Sequence, residues 1–244
     1  MTITEILHKV TIDSKDNGTE FTVTSRLDVI KELLRHSPYR ILHEGKLSVI
    51  YGKRPLEEGS VVLISSHIDT VYNALFCAEH DQEHLHGTFD NSLTNACVLY
   101  DMLQDTLNDN VVIAFTGDEE RNSGGAKEVK DVLNDNSMID MAIVLDVTAE
   151  GWDEECPFTI ENDLCIDIYT GYRIFDTLKR YNHRFKFVHD AEPDESWEYC
   201  KDDIPCFTLC LPVHGNMHSD SGTLTRRASL PVYAEILHIL ANEI

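Results

Sequence analysis

Two adjacent glutamates, Glu119 and Glu120, follow the apolar run Val111–Phe115. Neighbouring carboxylates at the mouth of a core strand repel one another unless positive charge sits beside them. A bound metal ion would supply that charge, with one carboxylate as ligand and the other free to handle a proton. A solvated acidic turn is the plainer alternative. The pattern recurs along the chain. Val61–Ser65 runs into Ser66-His-Ile-Asp69, Met141–Leu145 into Asp146, and Cys206–Leu211 into Pro212-Val-His-Gly-Asn-Met-His218. In His67-x-Asp69 an extended backbone puts both side chains on one side. Asp69 can then accept a hydrogen bond from one ring nitrogen of His67 and leave the other for a metal. A surface loop with the same two residues is the alternative. Asp90, in Gly87-Thr-Phe-Asp-Asn91 before a helical pattern, reads either as an N-terminal cap or as a carboxylate bridging the His67 and Glu119 elements.

Such residues need a scaffold that brings four strand ends together. The four apolar runs are short, rich in Val, Ile, Leu and Phe, and nearly continuous, as expected of strands buried on both faces. Helical patterns lie between and after them at Ser92–Leu107, Gly125–Leu133, Ile168–Tyr181 and Ser229–Asn242. Alternation of this kind predicts an α/β three-layer sandwich with a central, largely parallel mixed sheet flanked by helices. Open sheets place their sites beyond the carboxyl ends of the strands, where all four runs carry their His, Asp or Glu. Gly124-Gly125 is expected to let the backbone turn tightly into the next helix. Upstream, a helix over Thr4–Val10 and a turn at Asp16-Asn-Gly18 precede a helix over Arg26–His36, capped by Ser25 and ended by Pro38. Tyr39–His43 and Leu47–Tyr51 read as a hairpin, and Ala74–Gly87 as an extra strand pair carrying His80, His84 and His86. Residues 150–164 read as an acidic loop with a strand at Phe158–Ile160. No linker or repeat interrupts the 244 residues, so a single domain is expected.

The formal charge is −23, which argues against nucleic acid or an anionic membrane as the main partner. No apolar stretch approaches the roughly 20 residues of a membrane span, and the first residues lack the basic and apolar regions of a signal peptide. Seven cysteines without a C-x-x-C pair suggest reduced thiols in a cytoplasmic protein.

Ser66-His-Ile-Asp-Thr-Val71, Gly87-Thr-Phe-Asp-Asn91, Phe115-Thr-Gly-Asp-Glu-Glu120, Leu145-Asp146 and Asn216-Met-His-Ser219 resemble the ordered motifs of the co-catalytic di-zinc exopeptidases. This superfamily of zinc aminopeptidases and carboxypeptidases includes bacterial leucyl aminopeptidases, the tetrahedral glutamyl-aminopeptidase-like enzymes and the succinylase/tripeptidase group. The resemblance implies that His67 and Asp146 bind one metal, Glu120 and His218 the other, and that Asp90 bridges them. It also implies that Asp69 orients His67, that Glu119 is the general base, and that the Asp90–Asn91 peptide is cis. A ligand set of histidines and carboxylates suits two zinc ions, with manganese or cobalt as alternatives. The 23-residue step from His67 to Asp90, and the 72-residue step from Asp146 to His218, leave no room for the inserted lid or dimerisation domains of some members. A bare catalytic domain is expected.

Substrate-contacting residues are less defined. His214 reads as a loop residue or a substrate contact. Asp194 and Glu195 open a short helix whose dipole suits acids, with holding a substrate amine as the functional alternative. Trp152 and Trp197 read as packing residues. Serine hydrolysis has no Gly-x-Ser-x-Gly to support it. The expected activity is a metal-dependent exopeptidase, an aminopeptidase on short peptides. Arg173, Arg226 and Arg227 keep a carboxypeptidase or an N-acyl amino acid deacylase open, and a non-catalytic metal-binding scaffold is the alternative of another class. A homo-oligomer would help to wall in an active site without a lid.

Overall fold

The computed structural model describes residues 1–12, 24–189 and 191–244. Helices α1 (Ile3–Ile12) and α2 (Thr24–Leu34) lead into the hairpin of β1 (Arg40–Glu44) and β2 (Ser48–Gly52). Strand β3 (Val61–His67) enters the sheet, and the hairpin of β4 (Cys77–Glu79) and β5 (His84–Gly87) leads through Asp90 into α3 (Ser92–Gln104). Next come β6 (Val111–Thr116), the single-turn α4 (Glu119–Asn122), α5 (Gly124–Asn136) and β7 (Ile139–Thr148). After β8 (Phe158–Leu164), α6 (Ile168–Tyr181) and β9 (Phe185–Val188), the chain runs through α7 (Ser196–Cys200), β10 (Cys206–Gly215), β11 (Thr223–Arg226) and α8 (Ser229–Glu243).

The sheet order is β1-β2-β6-β3-β7-β10-β11-β5-β4, with β8 also on β10 and β9 on β8. The centre, β6-β3-β7-β10, is parallel and is built from the four apolar runs. Successive residues of each central strand feed opposite cores. Val62, Ile64, Ile113, Phe115, Ile143 and Leu145 pack on one face, while Leu63, Val112, Ala114, Ala142 and Val144 pack on the other. Burying each large apolar side chain contributes about 1.5–3 kcal/mol, so a run apolar at every position is stable only between two helical layers. Helices α1, α2, α3 and α8 form one layer, and α5 and α7 form the other.

Both expected hairpins are present, with a bulge between Ile41 and His43 in the first. The turn at Asp16-Asn-Gly18 and the side chain of Ser25 lie outside the described residues. Three features differ from the reading of the sequence. Strand β10 continues through Pro212 to Gly215, because its end pairs with β11. The expected loop around His214 is therefore strand. Strands β9 and β11 are too short and mixed in polarity to announce themselves. Gly124 and Gly125 do not make the turn into α5; the left-handed residues are Asp118 (φ 64) and Ser123 (φ 50). Gly125 instead lets α5 approach β2, since a Cβ there would lie 2.6 Å from the Leu47 carbonyl oxygen and the Gly117 nitrogen.

Candidate metal centre

Strand register brings the site residues level. His67 stands opposite Thr116, Ser66 opposite Leu145, and Asp146 opposite Cys210. The ends of β3, β6, β7 and β10 therefore deliver His67, Glu119 with Glu120, Asp146 and the His218 loop to one edge. Asp90 reaches them from the start of α3. Its carboxylate faces two histidines: Oδ1 lies 3.2 Å from His67 Nε2, and Oδ2 lies 3.4 Å from His218 Nε2. Asp146 Oδ1 is 3.5 Å from His67 Nε2, and Glu120 Oε2 is 3.7 Å from His218 Nε2. The ligand atoms of His67, Asp90 and Asp146 converge within 4.8 Å, as do those of Asp90, Glu120 and His218, and those of His67, Glu119 and Glu120. Asp90 thus faces the centre rather than capping α3, and the Asp90–Asn91 peptide is cis.

Neighbouring groups hold this arrangement. Asp69 lies 3.5 Å from His67 Nδ1, and its two oxygens accept the backbone N–H groups of Glu119 and Glu120 at 3.4 Å. One carboxylate therefore stands beside the histidine ring and anchors the glutamate turn. That turn is helical, so successive side chains diverge around α4. Asn91 Nδ2 donates to the Leu145 carbonyl at 2.7 Å, and Asn95 Nδ2 to the His67 carbonyl at 2.8 Å, tying α3 to β7 and β3. Arg26 donates to the Ile68 carbonyl at 3.1 Å, and the Tyr72 hydroxyl donates to the Met217 carbonyl beside His218. The sequence reading missed Arg26, Tyr72 and Asn95. Each reaches the site through backbone contacts 28 to 145 residues away, and no local pattern carries that signal.

The electrostatics are those of a cluster needing positive charge. Burial pushes Glu119 up to about 9 and Glu120 up to about 7, and it also raises Asp146. Burial opposes ionisation of Asp90, yet contact with His218 and His67 holds it well below the usual carboxylate range. Contact with Asp90 lifts His218 to about 9. Burial disfavours the charged form of His67, but Glu119, Asp146, Asp69 and Asp90 outweigh it and raise the ring well above its ordinary value. Despite these approaches, both His67 ring nitrogens, Asp90 Oδ1 and Glu120 Oε1 are buried without an aligned hydrogen-bond partner. Such atoms are costly unless something else occupies their lone pairs. Nitrogen and oxygen donors left unpaired in two triads sharing Asp90 fit a pair of divalent cations.

The centre opens onto a cleft of about 620 Å³ that extends past Val147, Thr148, Glu161, Val188, Glu192 and Cys210. Asp194 lies in its wall but is engaged, accepting from Thr208 Oγ1 at 2.5 Å and Ser196 N at 2.8 Å. Glu195 is buried behind the sheet and accepts from Ser65 Oγ at 2.9 Å. His214 stacks on Trp152 at 5.4 Å, and Trp152 in turn carries the Arg226 guanidinium 3.8 Å from its ring centroid. Neither Glu195 nor His214 lines the cleft.

Several solved structures share this fold. A TET aminopeptidase from Thaumarchaeota archaeon SCGC AB-539-E09 superposes with a TM-score of 0.80 at 10% identity, covering 99% of this chain and 96% of that one. Aminopeptidase APDkam598 from Desulfurococcus kamchatkensis gives 0.78 at 13% identity, with 99% and 95% covered. The Pyrococcus horikoshii TET1 peptidase gives 0.75 at 12%, with both chains fully covered. No curated protein sequence matches the chain. A sequence-family model does match residues 63–197, more than half the chain and a span containing His67, Asp69, Asp90, Glu119, Glu120 and Asp146. A metal-dependent hydrolase of peptide bonds follows from that match, and the chain belongs to peptidase family M20/M25/M40.

Proposed function

We propose that this protein is an aminopeptidase acting on short peptides, with His67, Asp90 and Asp146 holding one divalent ion and Asp90, Glu120 and His218 a second. The observation that carries this reading is the pair of ligand triads sharing Asp90, with Glu119 half-buried beside them. Two such ions would lower the pKa of a shared water and polarise the scissile carbonyl. Glu119 takes the proton from the attacking water and returns it to the leaving amine. Its carboxyl, pushed up by burial and by neighbouring acids, would be brought back down toward its ionised form by positive charge in the ligand cluster. Asp69 keeps His67 oriented and Glu119 in place through α4. Zinc suits the donor set, with manganese and cobalt as alternatives.

Two observations favour a free amine over a free carboxylate at the substrate terminus. The relatives of the same fold from Thaumarchaeota and Desulfurococcus are aminopeptidases. The cleft wall carries Glu150, Glu161, Glu192 and Asp194 beyond the ligand cluster, against the single cation Arg121 among the described residues. Arg173, Arg226 and Arg227 are engaged elsewhere, on the Glu243 carbonyl, Trp152 and Glu79 respectively. Elemental analysis with a dipeptide panel tests the reading: two divalent ions per chain, cleavage of C-blocked dipeptides and no cleavage of N-blocked ones. The reverse preference would make it a carboxypeptidase or deacylase. Two bound ions without turnover would make it a scaffold.

In this reading the chain works as a bare catalytic domain in a reducing compartment such as the cytoplasm, where its seven free thiols stay reduced. The Pyrococcus relative assembles into a tetrahedron or a large octahedral shell. Self-association of this chain would enclose its open cleft, and the exposed Ile168, Tyr169 and Tyr172 on α6 supply an apolar face for it. A monomer at micromolar concentration by light scattering would remove that part.

A further inference from the structure

One carboxylate in the cleft wall has no part in the ligand cluster and is itself buried. Glu161, on β8, is 6% exposed. Its Oε1 accepts from Thr159 Oγ1 at 2.6 Å, and the Thr148 hydroxyl also supports it. A carboxylate offers about four lone-pair sites, so two hydroxyls leave acceptor capacity toward the cleft. Neither hydroxyl brings positive charge, and among the described residues no Lys, Arg or His forms an ion pair with Glu161. The nearest charges that act on it are further acids, Asp146 and Asp194.

Its distance from the centre decides what it could receive. Asp146 pairs with Cys210, and Glu161 pairs with Thr208 one two-residue step back on the same strand. Two inter-strand spacings of about 4.8 Å and one step of about 6.6 Å put Glu161 roughly 12 Å from Asp146 between Cα atoms. A substrate α-amine sits directly beside the scissile carbonyl and cannot lie that far from the ligand cluster. The head of a long side chain on the same residue can. Cys210 stands on the strand between the two points, and the cleft lining also includes Val147, Val188 and Met217 beside its acids. A cleft that sets apolar side chains beside a buried acid suits the three- or four-carbon stem and charged head of arginine or lysine.

We infer that this cleft selects peptides whose N-terminal residue carries a long cationic side chain, with Glu161 as the specificity-determining residue. The inference rests on the aminopeptidase reading above. The test is kcat/KM of the metal-loaded protein on Lys-, Arg-, Leu- and Glu-p-nitroanilides, for the wild type and for Glu161→Gln, which keeps the shape and the hydroxyl contacts. The expected result is a preference for Lys and Arg over Leu of at least tenfold, with that ratio falling at least tenfold in E161Q. Equal or better turnover of Leu by the wild type would overturn the inference and leave the aminopeptidase reading standing. A Lys preference unchanged in E161Q would overturn the assignment to Glu161. Absence of turnover on all four anilides would overturn both readings.

Discussion

The β4–β5 hairpin carries His80, His84 and His86 within seven residues, while the ligand atoms of the cleft come from positions spread between His67 and His218. Density in sequence and convergence in space run opposite ways here. In the hairpin His84 and His86 each have a partner, and His80 is exposed to solvent. His84 Nδ1 lies 3.0 Å from Asp81 Oδ1, and His86 Nε2 lies 2.8 Å from the Ser221 carbonyl. In the cleft, parallel strands in register bring histidines and carboxylates face to face, and both nitrogens of His67 stay buried without an aligned partner. Residue type therefore does not separate a metal centre from a polar surface. Whether the fold leaves the donors unsatisfied does, because an unpaired buried donor costs about 1–3 kcal/mol unless a ligand takes it up.

That contrast can be broken by mutation. Glu119→Gln should retain its metal content by elemental analysis while kcat falls about 10²–10⁴-fold, the usual worth of a positioned proton acceptor. A rate within a few-fold of wild type would take Glu119 out of the chemistry. Asp69→Ala removes the group proposed to orient His67, which also anchors α4, so metal affinity or activity should drop about 10–100-fold. Titration with a competing chelator measures the affinity directly, and an unchanged value would reduce Asp69 to a structural residue.

Proton linkage sharpens the comparison from another side. Without metal, Glu119 and Glu120 have folded-state values raised from the ordinary 4.5 to about 9 and about 7. The native state then holds protons that the unfolded chain has released, and stability declines as pH rises from about 4.5 toward 9. His218, raised from 6.5 to about 9, adds stability that is complete below 6.5 and lost as pH passes 9. All three contributions have the same sign. The melting temperature of chelator-treated protein should fall between pH 5 and pH 9, and metal-loaded protein should show a flatter profile as cations replace protons. Parallel profiles would mean that metal and protons do not compete for these groups. The smallest effect belongs to the hairpin. Replacing His80, His84 and His86 together by Gln should change stability by no more than about 0.5 kcal/mol per site and leave the metal stoichiometry intact. Loss of one equivalent of metal would erase the distinction between the two regions.

Much of this arrangement was legible in the chain. Continuous apolar runs marked the four parallel strands, since only strands covered on both faces can be apolar at every position. The acids and histidines just past those runs marked the sheet edge where these side chains converge. Other parts depend on partners remote in sequence. The end of β10, with Pro212, is a strand because Thr223–Arg226 returns beside it. Arg26 looks like a solvated helix residue until the Ile68 carbonyl meets it. Glu195 has the composition of an exposed helix start, yet it is buried because Ser65 lies opposite. The helical turn at Glu119 follows from the left-handed Asp118 and from Asp69 accepting its N–H groups, neither of which alters a hydrophobic pattern.

The place of β10 in the sheet also bears on how the protein is made. β10 pairs along β7, but 57 residues separate Thr148 from Cys206. At about 5–20 residues per second on the ribosome, the nascent chain would wait several seconds with that edge of β7 open. An apolar strand edge of this kind is a template for wrong pairing, so the emerging chain needs shielding at that stage. His218 arrives later still, and the full ligand set exists only after the last central strand has docked. In the proposed reading, metal capture by all of these donors would therefore be a late event in synthesis, downstream of sheet assembly.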